Sequence, residues 1–382
     1  MKRLLLPALL LTTLTACTAA PAGTLPAAAP IPTPASTPAP TAAPAPADAL
    51  TPEEKIGQLF IIRPDALDLT LPQETINDAK ADGVTMLTDA MRETLQAYPV
   101  GGICQFGKNI TDPEQLAQFN ADLQAASRTP LFIAVDEEGG AVARLANHPA
   151  FDLPQYESAA AVGASGDPAD ACAMGQTIGA YLKEYGFNMD FAPDADVNTN
   201  PDNPIIGTRA FSSDAATAAE MAGGILPTLK HFPGHGDTAE DSHTALAVTY
   251  KTLDELQACE LLPFAADTGL HAVMVGHIAA PNVTGGGTPA TLSPQLVALI
   301  PDAENTLIVT DSLAMDAITA AYTPGEAAVQ ALQAGCDVLL MPNSLPEAYA
   351  AVLEAVQNGT ISEERLDRSV NKILLYKQQF AS

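Results

Sequence analysis

Eight short apolar runs between residues 58 and 342 constrain the fold of this chain more than any other feature. They span 58–62, 101–105, 131–136, 187–193, 225–231, 272–278, 305–311 and 337–342. Each is rich in β-formers and continuous rather than alternating, the pattern of a parallel strand buried on both faces. Helical patterns fill most of the gaps, at 112–127, 169–185, 253–268, 325–334 and 345–358. A closing helix is expected from Ser362, an N-cap followed by two Glu, to Gln379. Strands alternating with helices in this number predict one α/β domain, a single TIM-type (β/α)8 barrel.

In such a barrel the C-terminal ends of the strands carry the site. Run three ends in Asp136-Glu137-Glu138-Gly139-Gly140, with Arg144 beyond. Run four leads to Asp194, Asp196 and then Arg209. Run six ends in Gly276-His277, and run seven in Thr310-Asp311-Ser312. Run five is the densest. Lys230-His231-Phe232-Pro233-Gly234-His235-Gly236-Asp237-Thr238 and then Asp241-Ser242-His243 hold three of the chain's six histidines. A lone histidine is more often a satisfied core residue. This concentration of titratable groups on a loop after a strand favours a functional site.

The run-five loop resembles the signature of family 3 glycoside hydrolases, in their β-N-acetylglucosaminidase branch, and the resemblance spans roughly residues 51–376. It implies the same barrel fold and an exo-acting, retaining hydrolysis of terminal β-linked N-acetylglucosamine. Asp311 matches the catalytic nucleophile. His243, supported by Asp241, matches the acid/base, where most glycosidases use a Glu. Asp136 and Arg144 match a sugar-binding segment with its trailing Arg, and Arg209, Lys230 and His231 match substrate-holding positions. No metal or organic cofactor is implied. The family often carries an Arg where this chain has Ala141. Only 20 residues separate Arg209 from Lys230, about ten fewer than expected, close to three helical turns. One shortened βα unit near 210–225 is therefore expected, with a helix over 214–221.

The chemistry of the residues fits that resemblance. Glycoside hydrolysis needs an acid on the leaving oxygen and stabilisation of an oxocarbenium-like centre. A carboxylate on one imidazole nitrogen fixes the tautomer and raises the basicity of the other. Glu240 is the rival general acid. A phosphorylase is an alternative, because a neutral His acid/base would admit phosphate as acceptor. A wall-glycan-binding lipoprotein without activity is another, and a metallohydrolase using His231, His235, Asp241 and His243 is a third.

The first 48 residues are of another kind. Lys2 and Arg3 precede an apolar stretch too short to span a bilayer, closing on Leu14-Thr15-Ala16-Cys17. This resembles a lipobox and predicts lipidation of Cys17; an ordinary secretory signal cut near Ala20 is the alternative. Residues 18–48 are rich in Ala, Pro and Thr and predict an extended tether. It would reach on the order of 90 Å at ~3.1 Å per residue. The folded domain is expected over 49–382. Together these predict a monomeric, lipid-anchored, extracytoplasmic protein whose substrates are β-N-acetylglucosaminides within reach of a membrane, such as peptidoglycan fragments. The formal net charge of −28 excludes nucleic acid as a partner. No CxxC pair occurs, and Cys104, Cys172, Cys259 and Cys336 are expected as buried free thiols.

Overall fold

The structure is a computed structural model and describes residues 47–215, 226–240, 245–265 and 271–380. Each of the eight apolar runs forms one barrel strand, the fifth reaching one residue beyond its run to Phe232. These are β1 (Phe60–Ile62), β2 (Gly102–Cys104), β3 (Phe132–Val135), β4 (Met189–Asp190), β5 (Leu226–Phe232), β6 (Ala272–Val275), β7 (Leu307–Thr310) and β8 (Leu339–Leu340). Neighbours pair in parallel in the order β7-β6-β5-β4-β3-β2-β1-β8. A parallel bridge between Val309 and Val338 closes the ring. The Thr310 hydroxyl accepts the Leu340 N–H at 2.9 Å, so a side chain completes the seam where the ladder is thin. Ile61, Ile103, Ile133, Val273 and Leu339 are fully buried, as continuous apolar strands covered on both faces should be.

Helices wrap the barrel, and local chemistry sets their starts. In α1 (Pro52–Gln58) Thr51 caps the Glu54 N–H while Glu54 caps that of Thr51, with Pro52 in the first turn. α2 (Asp89–Ala97) follows β1, and α3 (Pro113–Ala126) follows β2 behind an Asp112 cap. α4 (Pro168–Glu184) returns the chain from β3 to β4. The helix expected over 214–221 falls almost wholly outside the described residues. α5 (Leu253–Ala258) is shorter than the expected 253–268. In the interior of a helix continued past Ala258, Pro263 would lack the N–H that bonds the Cys259 carbonyl and its ring would clash with that carbonyl, and Glu260 turns inward to burial. α6 (Pro294–Val297), α7 (Pro324–Ala334) and α8 (Leu345–Gln357) follow β6, β7 and β8. α9 (Glu363–Phe380) closes the bottom, with the Ser362 hydroxyl accepting the Arg365 N–H at 3.2 Å.

Cys104, Cys172, Cys259 and Cys336 are free thiols, and Cys104 and Cys336 are buried as expected. Cys172 and Cys259 are half-buried instead, the first on the outer helix α4 and the second where α5 ends. Cys17 lies outside the described residues.

Candidate active site

The C-terminal ends of the strands surround a cleft of about 200 Å³. Arg63, Asp136, Glu138, Arg144, Arg209, Lys230, His231, His235 and Asp311 all reach its wall. Of the expected site residues, Asp136, Arg144, Arg209, Lys230, His231 and Asp311 are therefore gathered in one place. Asp241 and His243 lie outside the described residues.

Three consecutive acids after β3 serve three different ends. Glu137 is fully buried, and its carboxylate accepts the N–H groups of Arg144, Leu145 and Ala146 at 2.5, 2.9 and 2.8 Å and the Tyr181 hydroxyl at 2.9 Å. It fastens the hairpin formed by Glu137–Gly139 and Val142–Ala143, whose turn carries Arg144 back toward the cleft. Gly139 makes that turn possible: its φ is +82°, and a Cβ there would meet Met174 Cε at 2.4 Å. Asp136 and Glu138 flank Glu137 and face the cleft.

Lys230 Nζ sits between them, 2.9 Å from Asp136 Oδ1 and 2.6 Å from Glu138 Oε1. Arg209 grips Glu138 with its fork, Nε to Oε2 at 2.8 Å and Nη2 to Oε1 at 2.7 Å. Arg144 Nη2 approaches Asp136 Oδ2 at 3.5 Å. Burial alone would push the Asp136 carboxyl up; the Lys230 and Arg144 cations outweigh it and hold it well below the usual range. The same balance of burial against Lys230 and Arg209 keeps Glu138 ionised. Burial lowers Lys230, but Asp136 and Glu138 more than reverse it. The result is a fixed charge lattice, with Arg209 acting largely through Glu138.

His231 and His235 form a second unit. Asp196 Oδ2 meets His231 Nδ1 at 2.7 Å, and Asp196 Oδ1 accepts the His235 N–H at 2.5 Å. Burial opposes both charges, yet His231 holds Asp196 down at about 2, and Asp196 raises His231 above its ordinary value. With Nδ1 committed to Asp196, the other ring nitrogen of His231 is left for the cleft. The Thr238 hydroxyl meets His235 Nδ1 at 2.6 Å and its own turn's His235 carbonyl at 2.9 Å. Asp237 accepts the Thr249 hydroxyl at 3.0 Å and lies 3.5 Å from Lys251 Nζ. Gly236 lets this loop pass against β4's extension, since a Cβ there would meet the Val197 carbonyl at 1.9 Å.

Asp194, Asp196 and His231 offer donor atoms within 4.8 Å of one another, the one such metal-capable group among the described residues. They are already engaged: Asp194 Oδ1 accepts the Asp196 N–H at 3.0 Å, Asp194 Oδ2 lies 3.5 Å from Arg209 Nε, and Asp196 is bonded to His231 and to the His235 N–H. Burial and then the Asp196 charge push Asp194 up to about 7, so a shared proton fits this cluster as it stands.

Asp311 follows β7 directly. Its backbone N–H donates to the Val275 carbonyl at 2.9 Å, and its Oδ1 accepts the Ser312 N–H at 2.7 Å. Buried His277 holds the next carbonyl, Ser312 O, at 2.8 Å through Nε2 and meets the Thr291 hydroxyl at 2.7 Å through Nδ1. His235 senses the Asp311 charge across the cleft.

Glu138, Asp196 and His277 stand at the strand ends in the sequence, but nothing in the sequence gives them a role, and Arg63 is not among the residues named there. Arg63, immediately after run one, was reachable by the same strand-end rule that found Asp311 and Asp136.

The family described as glycosyl hydrolase family 3 N terminal domain matches residues 51–375. Beta-hexosaminidase A of Pseudoalteromonas piscicida is 32% identical over 335 residues, covering 77% of this chain and 56% of that protein. Beta-hexosaminidase LpqI of Mycobacterium tuberculosis is 31% identical over 366 residues, covering 86% of this chain and 83% of LpqI. The solved family 3 beta-N-acetylglucosaminidase of Paenibacillus sp. str. FPU-7 superposes with a TM-score of 0.75 at 37% identity, covering 87% of this chain and 63% of that one. The chain thus spans little more than half of the first relative and about five-sixths of the second. By sequence over most of its length and by barrel architecture, the chain belongs to glycosyl hydrolase family 3.

Proposed function

We propose that this chain is an exo-acting, retaining β-N-acetylglucosaminidase. One observation carries the reading: Asp311, at a strand end, shares a cleft with the Asp136–Lys230–Glu138–Arg209 lattice of hydrogen-bonding groups. The beta-hexosaminidase names of the relatives agree with it.

In this mechanism Asp136, Arg144, Lys230 and His231 hold the sugar by its hydroxyls, and Arg209 keeps Glu138 and Lys230 in register. Asp311 attacks the anomeric carbon while His243, oriented by Asp241, protonates the leaving oxygen. The C–O bond to the aglycone breaks and a glycosyl–Asp311 ester forms. His243 then takes a proton from water, which attacks the same carbon and returns Asp311 as a carboxylate. Phosphate in place of water would make the same chain a phosphorylase; turnover with and without phosphate separates the two.

The test is release of p-nitrophenol from its β-N-acetylglucosaminide by residues 49–382. Steady release that Asp311→Ala abolishes supports the reading; binding of the sugar with no release points to a wall-glycan-binding protein. Residues 1–17 are further proposed as a lipoprotein signal and 18–48 as a tether, presenting the domain to peptidoglycan fragments. Membrane fractionation of wild type and Cys17→Ala tests this, and equal solubility would sink it.

A further inference from the structure

His277 takes no part in the steps above, yet it lies fully buried beside the end of β7. Its Nε2 stands 2.8 Å from the Ser312 carbonyl. A carbonyl only accepts, so Nε2 carries a hydrogen and donates it. Its Nδ1 stands 2.7 Å from the Thr291 hydroxyl, which is also 3.1 Å from the Val275 carbonyl and 3.0 Å from that of Gly276. The imidazole is therefore held against the end of β6 and reaches across to the chain leaving β7.

The group it reaches sits next to the nucleophile. The Ser312 carbonyl and the Leu313 N–H belong to one planar peptide unit. His277 donates to that carbonyl, and the Leu313 N–H donates to the Leu340 carbonyl of β8 at 2.9 Å, so the unit is held at both ends. On the other side of Asp311, its own N–H donates to the Val275 carbonyl at 2.9 Å. Between these two clamps the Ser312 N–H donates to Asp311 Oδ1 at 2.7 Å. The carboxylate is thus tied to a peptide whose neighbours on both sides are fixed, and His277 supplies one of the fixings. Asp311 and Ser312 line the cleft, whereas His277 is fully buried.

We infer that His277 is a positioning residue for Asp311: by holding the Ser312–Leu313 peptide unit to the end of β6, it aims the carboxylate at the anomeric carbon. The assignment rests on Asp311 being the nucleophile, as proposed above. A reacting group misplaced by about 1 Å can lose on the order of 10²-fold in rate, so one clamping hydrogen bond is enough to matter. His277 moves no proton in this role. Its contribution is to the attack and not to protonation of the leaving oxygen, which separates it from His243.

Labelling of the full chain by a ring-fluorinated N-acetylglucosaminyl fluoride, followed by intact mass, reads the attack alone. Asp311 bonds to the anomeric carbon, the C–F bond there breaks and fluoride leaves without needing an acid; the ring fluorine slows hydrolysis, so the ester accumulates. Only molecules with a formed site react, so the limiting labelling rate does not depend on the folded fraction. His277→Ala should lower that rate ~10–100-fold and leave the half-saturating concentration within about twofold of wild type. His277→Gln, whose amide nitrogen can take the place of Nε2, should recover most of the rate. His277→Asn, whose nitrogen reaches only the place of Nδ1, should not. Thr291→Val keeps the shape and strips the hydroxyl that holds Nδ1; it should slow labelling in the same way by a smaller factor, and it carries the test if the His277 variants do not fold. An unchanged limiting rate in His277→Ala or Thr291→Val, with a lowered melting temperature, would make His277 a packing residue and overturn the proposal. Equal rates in the Gln and Asn variants would overturn it too, with the nucleophile reading intact. If wild type takes no label, the nucleophile reading fails and this one with it.

Discussion

At the N-terminal end of the barrel Lys372 Nζ donates to the carbonyls of Ala303 and Thr306 at 2.8 and 2.9 Å and to Asp337 Oδ2 at 2.7 Å. Asp337 in turn accepts the Ser369 hydroxyl at 2.5 Å and the Ile308 N–H at 3.1 Å, and Arg365 binds Ser369 and the carbonyls of Leu332 and Cys336. Nothing in that network is left over. At the C-terminal end Arg63 Nε, Arg144 Nε, Asp194 Oδ2 and Ser312 Oγ are buried atoms that find no hydrogen-bond partner among the described residues. The bottom network closes the fold and is saturated. The top network keeps valences for something that is not protein, which is what separates a structural charge cluster from a binding one.

The largest expected effect tests that contrast at its centre. Asp311→Ala should lower turnover by ~10⁴-fold or more, as loss of a covalent nucleophile does, and abolish labelling by a fluorinated substrate. Its melting temperature should stay near wild type, since Asp311 lines the cleft and lies outside the Lys372–Asp337 network. A large drop in melting temperature would place Asp311 with the bottom cluster and break the comparison.

Next comes the proton shuttle. His243→Ala should cost ~10²–10⁴-fold on disaccharides and much less on p-nitrophenyl substrates, whose leaving group needs little protonation. Asp241→Asn should fall between, with the imidazole present but its proton misplaced. If Glu240→Gln shows the leaving-group dependence and His243→Ala does not, the glutamate is the acid.

The mirror-image experiment is at the bottom. Asp337→Ala strands the Lys372 ammonium, which is only 8% exposed, and should cost ~3–5 kcal/mol of unfolding free energy. Turnover per folded molecule should be unchanged. Urea midpoints and active-site titration together decide it; unchanged stability would mean the bottom cluster is not the saturated structural unit described here.

Much of this was legible in the chain itself. All eight runs became strands, because a strand covered on both faces is a continuous apolar run, and the strand-end rule then located Asp136, Lys230, His231 and Asp311. The division of labour within Asp136-Glu137-Glu138 was not legible. Three adjacent acids look alike in sequence, and only the positive φ of Gly139 and Gly140 and the buried Tyr181 hydroxyl send Glu137 inward and leave the others to the cleft. Arg209 was read as a sugar contact, but a sequence does not show that a carboxylate from another strand will occupy its fork. Ending α5 at Ala258 turned on Pro263, a breaker that the helical periodicity had overrun.

The smallest effect comes from a buried cation of α9 that stands outside the saturated network. Lys377 lies on the buried face of α9 with Leu366, Val370, Ile373 and Leu374, and its only hydrogen-bond partner among the described residues is Gln58 Oε1 at 2.6 Å. Burial without a carboxylate pulls its ammonium down to about 7. In the unfolded chain the same group titrates near 10.4. Between those values the unfolded state holds a proton that the folded state has released, so this residue makes stability rise with pH, by at most about 1.4 kcal/mol per unit. Below about pH 7 both states are protonated and the full burial penalty remains. Lys377→Met removes the titration and keeps the packing, at the cost of leaving Gln58 without its donor. Relative to wild type, the variant should therefore be most favourable at pH 7 and lose ground steadily toward pH 10 in urea unfolding. A gap between the two proteins that stays constant over that range would show that Lys377 keeps its charge in the fold, held by water or by Gln58, and that the bottom of the barrel is wetter than its packing implies.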